Sequence, residues 1–394
     1  MSPGRARSPT FGTAGKGIAM RRHIYADNAA TSKLDLDAFE AMKPYLLEDY
    51  GNASQPYFFA MKPKRALKEA HKTIADCIGA LPDEIYFTSG GTESDNWAVK
   101  RFGGRNDVRR VITSAIEHHA VLNACEDAVR LPVDGRGIVS PTVLAEALDS
   151  ETGPVASCQS TLVSVMLVNN EIGTIAPIKE LAVIAHSRAA LFHTDAVQAV
   201  GHILIDVNDL GVDLLSASAH KFNGPKGVGF LYIRQGTIMT PFADGGAQEF
   251  GMRAGTENVA GIVGMAAALK KNCDEMERTA EKLRTMENIF IETLRRAGID
   301  FLRNGSENRV PGNINVSIRG ASGETLLHRL DLKGISISTG SACDSVNTQI
   351  SHVIRAVNVP PEYAEGTIRV TFSRDNDPED AAAVAEAVVS IIRK

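Results

Sequence analysis

The chain has 394 residues, 44% of them hydrophobic and 23% charged, with a formal net charge of −5. That length is too great for one simple core and favours two domains. The near-balanced charge gives no electrostatic reason to expect direct nucleic-acid or membrane binding, and no apolar run approaches the roughly 20 residues needed to cross a bilayer.

Residues 1–19 are basic and rich in Gly, Pro and Ser, without the apolar stretch of a secretory signal. They read as a disordered leader or a tag ahead of a fold that begins near Met20. From about residue 35 to 275 helical and strand patterns alternate, as in a layered α/β fold. Helices are predicted at 37–48, 63–78, 94–100 and 178–189, and short strands at 85–88, 111–113, 162–168, 190–193, 212–215 and 228–233. The continuous apolar character of these strands fits a sheet covered on both faces. A long amphipathic helix follows at 274–297, with Met276, Leu283, Met286, Phe290 and Leu294 at mostly three-to-four spacing and Gly298 placed to stop it. It reads as the link to a second domain. Beyond it, strands at 314–318, 335–338 and 367–372 mix with helices at 325–332, 350–357 and 378–392. The expected fold class is therefore α/β. A large domain (33–273) carries a mainly parallel sheet between helices, and 20–32 joins 274–394 in a smaller α+β domain.

The segment from Ser216 to Gly227 is the most informative. An apolar strand ends in small polar residues, the His220-Lys221 pair and a glycine-rich turn. A lysine so placed can carry an aldehyde cofactor covalently once its amine is neutral, which neighbouring cations or desolvation favour. Pyridoxal phosphate, the usual aldehyde, also needs a carboxylate at its ring nitrogen and a cradle for its phosphate.

In open α/β sheets, ligands sit outside the carboxyl ends of the strands, and here the polar residues fall at those ends. Strand 85–88 leads into Ser89-Gly90-Gly91-Thr92, where backbone N–H groups and a helix start can cradle phosphate. Strand 111–113 leads to Glu117-His118, whose imidazole could stack on a planar ring and move protons. Strand 162–168 leads to Asn169-Asn170, strand 190–193 to Asp195 and Gln198, and strand 212–215 to Ser218, His220 and Lys221. Alone, each has a plainer reading: a helix cap, a structural histidine, an Asx turn, a surface lysine. Together they supply an anchor, an electron-sink partner, a ring platform, oxygen ligands and a phosphate cradle.

The five cysteines, at 77, 125, 158, 273 and 343, form no paired spacing and no CxxC, as expected in a reducing, cytoplasmic setting. Cys77 falls in a helix, Cys125 in a helix after His118, Cys158 before a strand and Cys273 near a helix start; all four read as packing. Cys343 differs, because Gly340-Ser341-Ala342-Cys343-Asp344-Ser345 is small and polar, and a thiolate there could act as a nucleophile.

At these residues the chain resembles the cysteine desulfurases, within the fold-type I pyridoxal-phosphate enzymes that include the class V aminotransferases. The resemblance rests on Tyr25-Ala26-Asp27-Asn28-Ala29-Ala30-Thr31, Gly51-Asn52, the 88–96 turn, Glu117-His118, 168–173, 193–198, the Lys221 loop, 253–258, Gly340-Ser341-Ala342-Cys343 and Arg369, in order from residue 23 onward. It implies that Lys221 anchors the cofactor, Asp195 pairs with the pyridine nitrogen and His118 stacks on the ring. Gln198 and Asn170 would contact the phenolic oxygen. Gly91, Thr92, Ser218 and His220 would hold the phosphate, with Thr256 from the other subunit of a homodimer. Arg369, with Asn52 and Asn170, would receive the carboxylate of L-cysteine, a match for the planar guanidinium fork. The implied reaction yields L-alanine and a persulfide on Cys343, which passes to a sulfur-acceptor or scaffold protein, as in iron–sulfur cluster assembly; no metal is implied. The rivals are a selenocysteine lyase or another class V enzyme, which need no Cys343, and a non-catalytic scaffold for sulfur carriers. Two departures stand out: Ala247 where the family usually has a third glycine, and Asp344 to His352, which keeps the length but not the residues of the long-loop desulfurases.

Overall fold

The computed structural model describes residues 23–150, 160–339 and 350–393. In chain order its strands are β1 (Ile24–Tyr25), β2 (Ile85–Thr88), β3 (Arg109–Ser114), β4 (Val129–Leu131), β5 (Ser160–Ser164), β6 (Leu191–Asp195), β7 (Leu214–Ser218), β8 (Gly229–Ile233), β9 (Phe301–Arg303), β10 (Asn313–Ile318), β11 (Ile335–Ser336) and β12 (Thr367–Thr371). Seven form one sheet in the order β2-β8-β7-β6-β5-β3-β4. The neighbours from β7 to β4 are parallel, whereas β8 runs antiparallel to both β7 and β2. One reversal on each side of β8 leaves β2 pointing the same way as β7. The carboxyl ends of β2, β3, β5, β6 and β7 therefore open along one edge.

The chemistry of each element explains its place. Every residue of β7 and β8 is buried, as expected of apolar strands with both faces covered. The helix Met61–Ile78 buries Leu67, Ala70, Ile74 and Ile78 along one stripe, and Gly79, at φ 72°, ends it in the left-handed conformation that glycine adopts without a Cβ clash. A second core forms on the three-stranded antiparallel sheet β12-β10-β9. There Leu283, Met286, Phe290 and Leu294 of helix Met276–Arg296 meet Val316, Ile368 and Val384. The amino-terminal strand β1 pairs in parallel with β11 and contributes Ile24 and Ala26 to this core.

The structure shows the α/β class and a mainly parallel sheet, and it moves several boundaries. The predicted helix at 94–100 begins at Gly91, so its amino end belongs to the glycine turn itself. The strand predicted at 162–168 leaves the ladder after Ser164, although Val165 N and Leu167 N still donate to His193 O and Asp195 O at 3.1 and 2.9 Å. Helices at Pro141–Asp149 and Val259–Asp274 were not expected. The second is obscured by Gly261 and Gly264; a Cβ on Gly264 would lie 2.5 Å from the Met42 side chain, so a small residue is needed where helix Leu36–Leu47 packs. Cys273 sits in the last turn of helix Val259–Asp274, just ahead of the helix start at Met276, and Cys125 lies beyond the short helix His119–Leu122. Ala247 has an ordinary backbone (φ −86°, ψ 16°) that alanine adopts without strain. Among the described residues, no helix is long and apolar enough to cross a membrane.

Candidate active site

The edge where β2, β3, β5, β6 and β7 end is also where the polar residues gather. After β2, Gly90 takes φ 148°, and the chain turns into helix Gly91–Arg101 with its first N–H groups uncommitted to intrahelical bonds. A Cβ on Gly91 would lie 2.6 Å from Val197 Cγ2, so only glycine lets the helix start lie this close to the Asp195-Val197 turn. Glu93 ties the start to a distant loop through Arg253, with Nε···Oε1 at 2.9 Å.

After β7, Lys221 Nζ donates to the carbonyls of Ala29 and Ala30 at 2.7 and 2.8 Å. Its loop is clamped from three directions. Ser32 Oγ donates to His220 O (2.8 Å), Asn272 Nδ2 donates to Phe222 O (2.6 Å), and His202 Nε2 lies 3.0 Å from Lys221 O. The amino-terminal segment thus lies against the lysine that the sequence singled out. His220 Nδ1 meets Thr31 Oγ1 at 3.1 Å, and burial, with Lys221 and Lys226 nearby, lowers its pKa to about 4.

At the end of β6, Asp195 is buried and accepts a hydrogen bond from Val197 N at 2.9 Å. Burial pushes its carboxyl above the usual range, opposed by the charges of His118 and Lys221. Burial likewise lowers the His118 pKa. Because His118 Nδ1 accepts from Ala120 N at 3.1 Å, the neutral ring carries its proton on Nε2. Beneath them His193 is fully buried between Ser164 Oγ (2.8 Å) and Ser216 Oγ (3.0 Å). Burial lowers its pKa from 6.5 to about 3. The unfolded chain therefore binds a proton at His193 that the folded chain refuses. This contribution to stability is complete above pH 6.5 and is lost as pH falls toward 3. Denaturant midpoints are expected to fall across that interval, and His193→Gln to flatten the dependence; an equally steep dependence in the variant would rule His193 out as its source.

Arg369, on β12, comes from the second core. Its Nη2 lies 2.7 Å from Asp27 Oδ1, and its Nη1 donates to Asn170 O at 3.0 Å. Its backbone exchanges both hydrogen bonds with Ser338, at 3.0 and 2.7 Å. The chain leaves from beside Arg369 and returns at Ser351, whose Oγ donates to Glu171 Oε1 at 2.8 Å. Cys343, expected to be the nucleophile, lies between these flanks and outside the described residues, as does Cys158.

A cavity of about 610 Å³ brings together Gly91, Thr92, His118, Asn170, Asp195, Gln198, Ser218, His220, Lys221 and Arg369. Asn52 lies elsewhere, and so does Thr256, which was expected to serve the other subunit's site. Asn52 Oδ1 accepts from Ser54 N (2.9 Å) within its own turn, and Thr256 lines a separate cavity of about 200 Å³ with Ser89 and Arg253. The main cavity also includes residues that sequence reasoning gave no role: Ala29, Ala30, Thr31, Asp95, His119, Glu171, Ser351 and His352. The Asp27–Thr31 motif was visible, but its contact with a lysine 191 and 192 positions away leaves no local trace.

The aminotransferase class-V family matches residues 24–384. The chain is 47% identical over 385 residues to the cysteine desulfurase IscS of Dictyoglomus turgidum, covering 95% of this chain and 96% of that protein. It is 45% identical over 380 residues to the cysteine desulfurase IscS of Methanosarcina thermophila, covering 94% and 92%. Among solved structures, a NifS-like protein superposes with a TM-score of 0.85 at 33% identity, covering 94% of this chain and 100% of that one. The chain belongs to the aminotransferase class-V family, whose members of this kind are pyridoxal-phosphate enzymes. Within it, these full-length relatives place the chain with the cysteine desulfurases.

Proposed function

We propose that this chain removes sulfur from L-cysteine, releasing L-alanine, with pyridoxal phosphate held at Lys221 and the sulfur taken up by Cys343 as a persulfide. The observation that carries this reading is the meeting of Lys221, Asp195, His118, the Gly91 helix start and Arg369 in a single cavity. The donor set fits the cofactor. Asp195 is a buried carboxyl whose charge burial disfavours, and a protonated ring nitrogen would offset that cost. The helix start at Gly91, with Thr92, Ser218 and His220, has the N–H and side-chain donors a phosphate requires.

Bound there, pyridoxal phosphate supplies a carbonyl carbon for the substrate's amino group and a ring that accepts the electron pair left by the α-proton. Lys221 would hold the cofactor, and its Nζ, when neutral, would take the substrate's α-proton. Asp195 would keep a proton on the ring nitrogen. Arg369 receives the substrate carboxylate and fixes its orientation, with Asn170 beside it. The Cys343 thiolate attacks the substrate sulfur: an S–S bond forms, the carbon–sulfur bond breaks, and its electron pair stays on carbon. His118, with its proton on Nε2, is placed to protonate the fragment that leaves as alanine.

Two consequences support this assignment further. A homodimer in which Thr256 and Asn52 complete the partner's site fits their position outside this cavity. It also fits the exposed Tyr50, Phe58 and Phe250, on segments joined by Gln248 Nε2 to Ser54 Oγ at 3.4 Å. A reducing cytoplasm suits the free thiols of Cys77, Cys125 and Cys273, and a sulfur-acceptor or scaffold protein would meet the segment that carries Cys343.

Given L-cysteine and a thiol reductant, the enzyme is expected to form alanine and sulfide in equal amounts. Transfer of the amino group to a keto acid without sulfide, or turnover of selenocysteine alone, would contradict the proposal. Gly91→Ala should weaken pyridoxal-phosphate affinity roughly tenfold or more, because the added methyl meets Val197 Cγ2; spectrophotometric titration of the apoenzyme reads this directly.

A further inference from the structure

Arg369 lines the cavity, but its ion-pair partner Asp27 does not; Asp27 grips the guanidinium from outside. The grip is close and sheltered: Nη2···Oδ1 is 2.7 Å, with the two side chains 5% and 18% exposed. Nη1 is committed to Asn170 O at 3.0 Å, while Nε is buried with no hydrogen-bond partner among the described residues. Asp27 is also pinned by its backbone. Ala26 N donates to Ser336 O at 2.8 Å, Asn28 N donates to Thr371 O at 3.2 Å, and Asp27 itself bridges Thr371. Its carboxylate is therefore held in place when a second anion arrives.

A substrate carboxylate entering through the cavity meets a guanidinium that already neutralises one carboxylate. The two anions must share one cation in a partly dehydrated site, and their repulsion subtracts from the attraction the guanidinium offers the second. The carboxylate is chemically the same in substrate and product. An effect exerted on it alone changes the binding of both and leaves the sulfur step untouched.

We propose that Asp27 sets the affinity of the site for the amino-acid carboxylate by holding Arg369 half-neutralised, weakening L-cysteine and L-alanine alike. The inference rests on Arg369 being the receiver of that carboxylate. Its effect is to keep alanine from lingering in a cavity built around its carboxylate.

The test uses the holoenzyme and Asp27→Asn, which keeps the shape and removes the charge. The readouts are KM for L-cysteine, Kd for L-alanine from the change in cofactor absorption, and the single-turnover rate of sulfur transfer. KM and Kd are expected to fall together by about fivefold or more, with the single-turnover rate changed less than about twofold. Asp27→Glu, which restores the charge, should return both toward the parent. Unchanged or higher KM and Kd in D27N would overturn the proposal and leave Asp27 as a brace that only orients Arg369. If D27N does not fold, D27S is read by the same criteria. Arg369→Ala separates the two levels: it should weaken both ligands. If alanine affinity is unchanged in R369A, the receiver is not Arg369 and the role of Asp27 falls with it; if R369A weakens binding and D27N does not tighten it, only the Asp27 proposal fails.

Discussion

Replacing Lys221 with alanine is expected to lower alanine formation from L-cysteine by about a thousandfold or more, since one group supplies both the covalent anchor and the base. The fold should survive the change. The 220–223 loop is held by Ser32, Asn272 and His202 through backbone atoms, none of which depends on the lysine side chain. The change removes the contacts from Nζ to Ala29 and Ala30. The variant should still take up pyridoxal phosphate, because Asp195 and the Gly91 helix start remain, but reductive trapping should no longer fix it to the chain. Circular dichroism unchanged from the parent, with rapid alanine formation, would remove Lys221 from the role of base.

Cys343→Ser should have an effect as large and of a different kind. Sulfide release is expected to fall by about a thousandfold or more, because a serine hydroxyl stays protonated at neutral pH and is a far weaker nucleophile than a thiolate. Cofactor content and absorption should match the parent, since Lys221, Asp195 and His118 are positioned by β7, β6 and the β3 end. The flanks of the Cys343 segment are fastened independently, by Ser338 to the Arg369 backbone and by Ser351 to Glu171. The two variants together separate labilising the substrate from taking its sulfur: K221A loses both steps, and C343S only the second.

Much of this site could be read from the chain because each strand carries its apolar signal up to a polar residue at its carboxyl end. Asp195 at the end of β6, His220-Lys221 after β7 and Gly91 after β2 are local facts of sequence, and the reversals on both sides of β8 align those ends. The helix at Val259–Asp274 was not legible, because Gly261 and Gly264, the second of which lets it pack against Met42, dilute the pattern that would have revealed it. Nor was the grip of Asp27 on Arg369, which joins residues 342 positions apart. Asn52 illustrates a further limit, since a residue placed at the site by its motif lies outside the cavity, its side chain engaged by Ser54 N within its own turn. His193 was passed over because a histidine inside an apolar strand carries no mark that distinguishes a neutral, serine-bracketed ring from an ionisable one.

The most direct measurement is the mass of the Cys343 peptide after one equivalent of L-cysteine is added without reductant. A gain of one sulfur atom at Cys343, matched by one equivalent of alanine and absent from Cys77, Cys125 and Cys273, is the expected result. Alanine formed with Cys343 unmodified, or sulfur found on another cysteine, would contradict it.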